Sequence, residues 1–397
     1  MLHGEDDVQY NWINGAESLE KYKLRGYHPI MIGDMLHKRY RIVDKLGFGG
    51  YSTVWLAKDT RLNHYVAVKV GIANSLPHES KILRALLVPQ PSSLSTHPGR
   101  KSIPLPLDEF ELRGPNGTHP CYTMTPARCN LREVSFSRLF PLEVTRALSA
   151  GLTLAIAYMH SQGYVHGDIH LRNVLVKLPS SFDQLPIEQL YETYGKPQAV
   201  PVTRCDGKPL PPNVPATAVI PHHLGKDAEE FSLSDAEVLL SDFGEAFSPA
   251  LNVRLGESCH TPLAMRPPEA RFEPQSPLSF SADIWSLATT IWEILGMKAI
   301  FSTGGSGGTN GASSSTRMDT QEDRDVWPPI DEAFEEGIQR YRRKRGMGVF
   351  EVDETAAILD LMRRMLAFRP EQRPTAEEIL KSEWMVKWAL PALTAAR

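Results

Sequence analysis

Cysteine is scarce in this chain and scattered. Cys121, Cys129, Cys205 and Cys259 are the only four in 397 residues, and none belongs to a Cys-x-x-Cys pair. A zinc ribbon or a disulfide framework needs tighter spacing, so ordinary reduced thiols are expected. Long apolar runs are missing too: no stretch approaches the roughly 18 uncharged residues of a membrane span. The opening residues, MLHGEDDVQYNW, lack the basic-then-apolar order of a secretion signal. Excess charge of one sign is also absent, since 43 basic and 47 acidic side chains leave a net charge of −4. That balance does not support a chain whose main work is coating nucleic acid or an anionic membrane. No internal repeat is present. The expectation is a soluble intracellular protein, cytoplasmic, nuclear or both, with no direct nucleic-acid or membrane partner and a monomeric state.

What the chain does have is core-forming material. Hydrophobic residues make up 42% and charged residues 23%, which rules out wholesale disorder, and the length suits two or three packed units. Two compositional breaks divide it. Between Pro179 and His223 there are nine prolines in 45 residues. Proline lacks an amide donor and fixes φ, so a long extended insertion is expected there, neither central strand nor helix interior. The second break, Ser302–Ser315, holds five glycines and five serines in 14 residues. Nothing in it offsets the entropy of ordering, so a flexible loop is expected over 302–320.

Periodicity supplies the elements between the breaks. Residues 40–71 run YRIVDKL, STVWLAK and YVAVKV, separated by turn residues, the pattern of an antiparallel meander. From Leu142 the apolar residues Val144, Leu148, Leu152, Ala155 and Met159 share one helical face. The stretch 281–295 reads as a strongly apolar, buried helix, with Trp285 and Trp292 as core. Helices are also expected over Glu354–Met365 and Thr375–Lys381, the latter opened by a Thr375/Glu378 capping box. Strands come first and helices after, giving an α+β chain with a β-rich first part and a helical second part.

Four short segments carry chemistry. In Leu46-Gly-Phe-Gly-Gly-Tyr-Ser-Thr-Val-Trp55, Gly47 and Gly49 between two strands let a hairpin fold its amides over an anion. Alone this is also ordinary turn chemistry. In Val66-Ala-Val-Lys-Val70, Lys69 sits within an apolar strand, where burial is costly unless an anion meets it. The plainer reading is a solvent-facing lysine. Glu79, in the helical stretch His78–Leu87, is a candidate carboxylate partner. In Tyr164-Val-His-Gly-Asp-Ile-His-Leu-Arg-Asn-Val-Leu175, Asp168 and Asn173 lie five apart in a loop between apolar residues. An Asp placed to accept a hydroxyl proton and an Asn able to ligate a metal suit in-line phosphoryl transfer; turn-amide satisfaction is the bland alternative. Last, Val238-Leu-Leu-Ser-Asp-Phe-Gly-Glu245 ends an apolar strand in Asp242, a natural magnesium ligand. Each has a bland explanation, but all four in this order match the protein-kinase signature set.

Over roughly residues 37–388 the chain resembles the eukaryotic protein kinases, and within them the SR-protein kinases, especially the fungal ones. Three features carry the likeness. They are the loop LGFGGYSTVW, with Ser52 where most kinases have a third glycine, the lead-in GYHPIMIGDMLHKRYRIVDKLG, and the long insertion before Asp-Phe-Gly. The resemblance implies a bilobal fold: an N-terminal extension over 1–36, a small β-rich lobe over 37–125 and a larger helical lobe over 126–397. It implies ATP and Mg2+ as cofactors and Arg/Ser-rich proteins as substrates of a serine/threonine kinase. Leu46, Gly47, Gly49, Ser52, Val54 and Ala67 would line the nucleotide site, with Lys69 on the α/β-phosphates and paired with Glu79. Asp168 would be the catalytic base, and Asn173 and Asp242 would ligate magnesium. Glu269 would pair with Arg373, while Asp283 would cap the buried helix and brace the catalytic loop.

Departures from the family pattern are equally specific. Gly167 stands where most kinases have an arginine that pairs with an activation-loop phosphate, a substitution the SR-protein kinases share. His170 replaces the lysine that meets the γ-phosphate, and His-Gly-Asp-Ile-His resembles the small-molecule phosphotransferases. The segment between Thr261 and Glu269 is one residue longer than usual. Two alternatives follow: a pseudokinase scaffold that binds nucleotide or protein without efficient transfer, and a small-molecule phosphotransferase. The basic run Arg340-Tyr-Arg-Arg-Lys-Arg345 reads as a nuclear import signal, an RNA contact or a solvated helix face.

Overall fold

The structure, a computed structural model, describes residues 8–88, 97–135, 138–301 and 328–396. The Gly/Ser-rich stretch of 302–320 lies outside them. The first part is an antiparallel sheet of β1 (Met35–Leu36), β2 (Tyr40–Phe48), β3 (Ser52–Asp59), β4 (Tyr65–Gly71), β5 (Asp108–Gly114) and β6 (Gly117–Met124), in the order β1-β2-β3-β4-β6-β5. Helix α1 (His78–Leu87) lies between β4 and β5 in sequence. Alternation sorts the side chains to two faces. Ile42, Trp55, Ala57, Val66, Val68 and Val70 share one apolar cluster, and Val43, Leu56 and Tyr65 belong to another. Two register shifts in β2 put the adjacent residues Asp44 and Lys45 against different neighbours.

A three-stranded sheet follows, β11-β8-β7, from β7 (Ala127–Asn130), β8 (Val174–Lys177) and β11 (Val238–Leu240). Helices α2 (Leu131–Val134) and α3 (Leu142–Ser161) lie between β7 and β8. Beyond β11 come α5 (Pro268–Phe272), α6 (Phe280–Gly296), α7 (Ile330–Phe334), α8 (Arg340–Arg345), α9 (Val352–Met365), α10 (Ala376–Leu380) and α11 (Leu390–Ala395). Every residue of α6 from Ala282 to Gly296 is buried, Trp285 and Trp292 included. Wrapped by α3 and α9, it is the axis of the main core. The β-then-α order and the α+β class agree with the sequence, and Thr375 and Glu378 form the expected capping box.

The Pro-rich segment departs from expectation. It is folded: a 3-10 turn over Ser180–Gln184, α4 (Ile187–Tyr194), and a ribbon of β9 (Gln198–Pro201) and β10 (Thr217–Ile220). Its prolines stand at the ends of these elements or, as Pro209, Pro211, Pro212 and Pro215 do, in the connection between β9 and β10. Pro179 and Pro186 precede the turn and α4, Pro201 closes β9, and Pro221 follows β10, where a missing amide costs no ladder bond. Phe182, Leu190 and Leu224 pack on Val43, Leu56 and Tyr65 of the first sheet. The Tyr191 hydroxyl donates to the Val43 carbonyl at 2.8 Å, and the His222 amide to that of Lys45 at 2.7 Å. The ribbon packs on the N-terminal segment through Leu19, Tyr22, Val202 and Ala218.

In the basic run 340–345, Arg340, Arg343, Lys344 and Arg345 are exposed on a helix face, as one of the expected readings has it, and Arg342 departs from it. Arg342 is fully buried and donates to the carbonyls of Gly348, Leu295, Phe140 and Met347. Arg340 and Arg343 pair with Glu336 and Glu335. Asp283 does not cap α6 either: Ser279 holds the N-cap position. Cys121, Cys129 and Cys259 are buried free thiols and Cys205 is exposed. Among the described residues no helix is long and apolar enough to cross a membrane.

His28, in the N-terminal segment, lies 4.8 Å ring to ring from the fully buried His119 of β6. Burial and the neighbouring imidazole push His28 down to about 4. An unfolded histidine takes its proton near 6.5. The unfolded state therefore binds more protons between these values, and stability is full above pH 6.5 and lost as pH falls toward 4. Denaturant midpoints at pH 7, 6 and 5 should fall less steeply for His28→Phe than for the native chain; parallel slopes would remove His28 from the acid response.

Candidate active site

The turn between β2 and β3 is closed by the Gly49 amide on the Ser52 carbonyl at 2.9 Å. A Cβ placed on Gly47, Gly49 or Gly50 would meet nothing within 4 Å. The fold itself therefore sets no steric demand for glycine here, whereas a ligand lying against the backbone would. Leu46 and Val54 stay partly exposed, and Ala67 is buried. Ser52 and Val54 open β3, and Val54 stands directly across from Lys69 on β4. These are the six residues expected at the nucleotide, and they sit on three adjacent strands and one turn.

Lys69 is not solvent-facing. Its Nζ lies 2.6 Å from Glu79 Oε2 on α1 and 3.3 Å from Asp242 Oδ1 beyond β11. Burial works against its charge, yet Glu79, Tyr122 and Asp242 more than compensate and hold the ammonium well above the usual lysine range. The Lys69 charge in turn, against the penalty of burial, lowers the Asp242 carboxyl. Asp242 occupies the left-handed region at φ 60°, a costly conformation for a residue with a side chain. The next amide, Phe243, donates to Glu79 Oε1 at 3.0 Å. Phe243 is fully buried with His166 5.2 Å away, ring to ring.

The loop before β8 brings Asp168, His170 and Asn173 together. Asn173 Nδ2 donates to the Asp168 carbonyl at 2.9 Å and to Asp168 Oδ2 at 3.1 Å. His170 Nε2 lies 3.4 Å from the same Oδ2, so His170 is turned onto the Asp168 carboxylate. Asp168 Oδ1 is buried and has no hydrogen-bond partner in the protein, so its acceptor capacity is unused. The loop is braced from α6. Asp283 accepts the amides of His166 at 2.7 Å and Gly167 at 2.9 Å, and lies 3.0 Å from His160 Nε2.

Residues beyond Asp242 are tied without any phosphate. Arg254 Nη1 donates to Glu245 Oε2 at 2.6 Å and to its carbonyl at 2.7 Å, and His260 Nδ1 lies 2.9 Å from Glu245 Oε1. The Thr261 hydroxyl donates to the Gly167 carbonyl at 2.7 Å. Glu269 and Arg373 make the expected pair, bidentate at 2.8 and 2.7 Å and buried. Sequence reasoning missed three participants. Tyr122, directly across from Lys69, closes the back of the cleft and has its hydroxyl pushed well up by burial. Arg254 and Tyr27 were missed as well. None stands in a motif; only alternation in 117–124 hints that Tyr122 shares a face with Met124.

Among the described residues no cluster of three or more His, Cys, Asp or Glu gathers to hold a metal alone. Magnesium does not require one, because it keeps waters and phosphate oxygens beside one or two protein ligands. Asp242, with its half-exposed carboxylate, and Asn173, whose amide nitrogen is committed to Asp168, fit that donor set.

This geometry agrees with the comparisons. The protein kinase domain model matches residues 229–385. A serine/threonine protein kinase of Aspergillus fumigatus is 26% identical over 392 residues, covering 91% of this chain and 88% of the relative. Protein kinase dsk1 of Schizosaccharomyces pombe is 36% identical over 167 residues, covering 40% of this chain and 30% of dsk1. Human SRSF protein kinase 3 is 30% identical over 184 residues, covering 44% and 31%. A crystal structure of a kinase domain shares the fold at TM-score 0.54 and 16% identity, over 90% of this chain and 98% of that one. The kinase-domain match, the serine/threonine kinases among the relatives and the shared fold support a place in the eukaryotic protein kinase superfamily. Within it, the likeness is to the serine/threonine kinases that include the SR-protein kinases, of which dsk1 and SRSF protein kinase 3 are spanned for less than a third of their length.

Gly167 is a test of how tightly the loop is built. It sits at φ 79°, and a Cβ there would lie 2.8 Å from the Glu245 carbonyl oxygen. Gly167→Ala should cost about 1–3 kcal/mol and slow turnover by displacing the Glu245–Arg254 pair. Thermal melting and steady-state rates check both; a melting temperature equal to that of the native chain would show that the loop yields.

Proposed function

We propose that the chain is an active serine/threonine protein kinase using ATP with magnesium, with Arg/Ser-rich proteins as its substrate class. The observation that carries catalytic competence is Lys69, held at once by Glu79 and Asp242, together with an unpartnered Asp168 Oδ1 in the loop before β8. The substrate class is supported by the likeness to SRSF protein kinase 3 and related kinases.

Magnesium-bound ATP supplies the transferable phosphoryl group and the counter-charge for its oxygens. The turn at Gly47–Gly50, the partly buried Leu46 and Val54 and the buried Ala67 enclose the nucleotide. Lys69 holds phosphate oxygens, and Glu79 keeps the ammonium aimed. Asn173 and Asp242 offer oxygens to the metal. Asp168 orients the attacking hydroxyl and takes its proton at the unpartnered Oδ1, while Asn173 fixes the carboxylate through Oδ2. His170, against that same oxygen, adds a donor next to the transferring group. A scaffold without transfer has no need of this complete polar set, and the left-handed Asp242 would be strain without return.

Purified protein with labelled ATP and magnesium should label an Arg-Ser repeat peptide faster than a generic basic protein. Asp168→Ala should lower transfer by roughly 10²–10⁴-fold while nucleotide affinity changes little, since the phosphate cradle is intact. Nucleotide binding without transfer to either substrate would favour the scaffold, and an Asp168→Ala rate near that of the native chain would remove the mechanism.

A further inference from the structure

The N-terminal segment before β1 reaches the glycine-rich turn. Tyr27 is 1% exposed, and its hydroxyl donates to the carbonyl of Gly49 at the tip of that turn. Its backbone is fixed on both sides. The Tyr27 amide donates to the Lys21 carbonyl at 2.9 Å, and the Tyr27 carbonyl accepts Asn116 Nδ2 at 2.7 Å from the β5–β6 turn. Four residues before Gly49, on β2, Lys45 forms a buried ion pair with Glu17, their side chains 0% and 2% exposed. Glu17 also accepts the Tyr22 hydroxyl, and the Tyr22 ring meets Tyr27 edge-on at 5.5 Å. One network therefore holds the stretch 45–49 at its base through Glu17 and at its tip through Tyr27.

The tip itself has little to gain in stability from this bond. Gly49, Gly50 and Tyr51 are exposed, and the hairpin already closes through Gly49 and Ser52. What the Tyr27 bond restricts is the swing of a turn built from glycines, which would otherwise sample many positions over the cleft. We propose that Tyr27 is a positioning residue for nucleotide binding, its hydroxyl fixing the glycine-rich turn in the conformation that receives the phosphates. The inference rests on the kinase reading above. A turn already ordered before ATP arrives loses less freedom on binding, so the bond acts on nucleotide affinity rather than on the chemical step. Tyr27 stands 42 residues before Lys69 and touches none of the reacting atoms.

Tyr27→Phe removes the one hydroxyl and keeps the ring between Tyr22 and the sheet. Affinity for a fluorescent ATP analogue should fall roughly three- to tenfold, the worth of one ordinary hydrogen bond. The melting temperature and the peptide KM should stay near native values. In the nucleotide-free protein, amide exchange over residues 46–52 should quicken, while exchange in α6 should not. Unchanged analogue affinity and unchanged exchange at 46–52 would overturn the inference and leave the kinase reading standing. A lowered melting temperature with native analogue affinity would also overturn it, making Tyr27 structural only. A native chain that binds no nucleotide would defeat the kinase reading, and this inference with it.

Discussion

The ammonium of Lys69 joins three elements that are far apart in sequence. It lies in β4, Glu79 in α1 and Asp242 after β11. A single cation draws two carboxylates together, the half-exposed Asp242 and the largely buried Glu79, and Glu79 could not be buried there without it. Phe243 follows from the same contact: its amide is donated to Glu79, and its ring is sealed into the core beside His166. The position of α1, the left-handed turn at Asp242 and the closed back of the cleft at Tyr122 all depend on that charge staying where it is.

Buried charge is used repeatedly to join distant segments. Arg373 reaches Glu269 and three carbonyls, those of Ala367, Ser281 and Phe368. Arg146 pairs with the fully buried Glu354, which also accepts the Trp384 indole at 3.1 Å. Such pairs are poor sources of net stability, since desolvation takes back most of the Coulomb gain, but losing one partner is costly. Their effect here is to fix one arrangement of helices against another.

Elements with a period or a cap were legible in the sequence, because local chemistry decides them. Helix α3 ends where its apolar face ends, α1 spans the expected His78–Leu87, and Thr375 makes its capping box. Motif order singled out the residues expected at the site, from Leu46 to Asp242; the structure joins Lys69, Glu79 and Asp242 in one contact and Asp168, His170 and Asn173 in another. What local chemistry does not decide was misread. Proline content gave an extended insertion, yet the prolines mark element ends or the β9–β10 connection, and partners from the first sheet supply the core that lets the segment fold. In the run 340–345 the surface reading holds for four of the five basic residues and fails at Arg342, because nothing local shows that it will meet four carbonyls from three other stretches of chain. The resemblance implied that Asp283 both caps α6 and braces the catalytic loop; the brace is there, through two loop amides more than a hundred residues away, and the cap is not.

The insertion leaves from β8 and returns through β11, which are hydrogen-bonded neighbours with Val176 across from Val238 and Val174 across from Leu240. Asn173 immediately precedes the first of these strands and Asp242 follows the second, and the Ser241 amide is bonded to the Asn173 carbonyl at 2.9 Å. The spacing between the two side chains is thus set by the ladder, whatever the length of chain between them. Adding or removing residues at the outer end of the excursion changes closure entropy only slowly with length and leaves the ladder in register. Such a place in the fold can accumulate sequence across descendants, acquiring new contacts with the first sheet or with other proteins, while the cleft it borders keeps its dimensions.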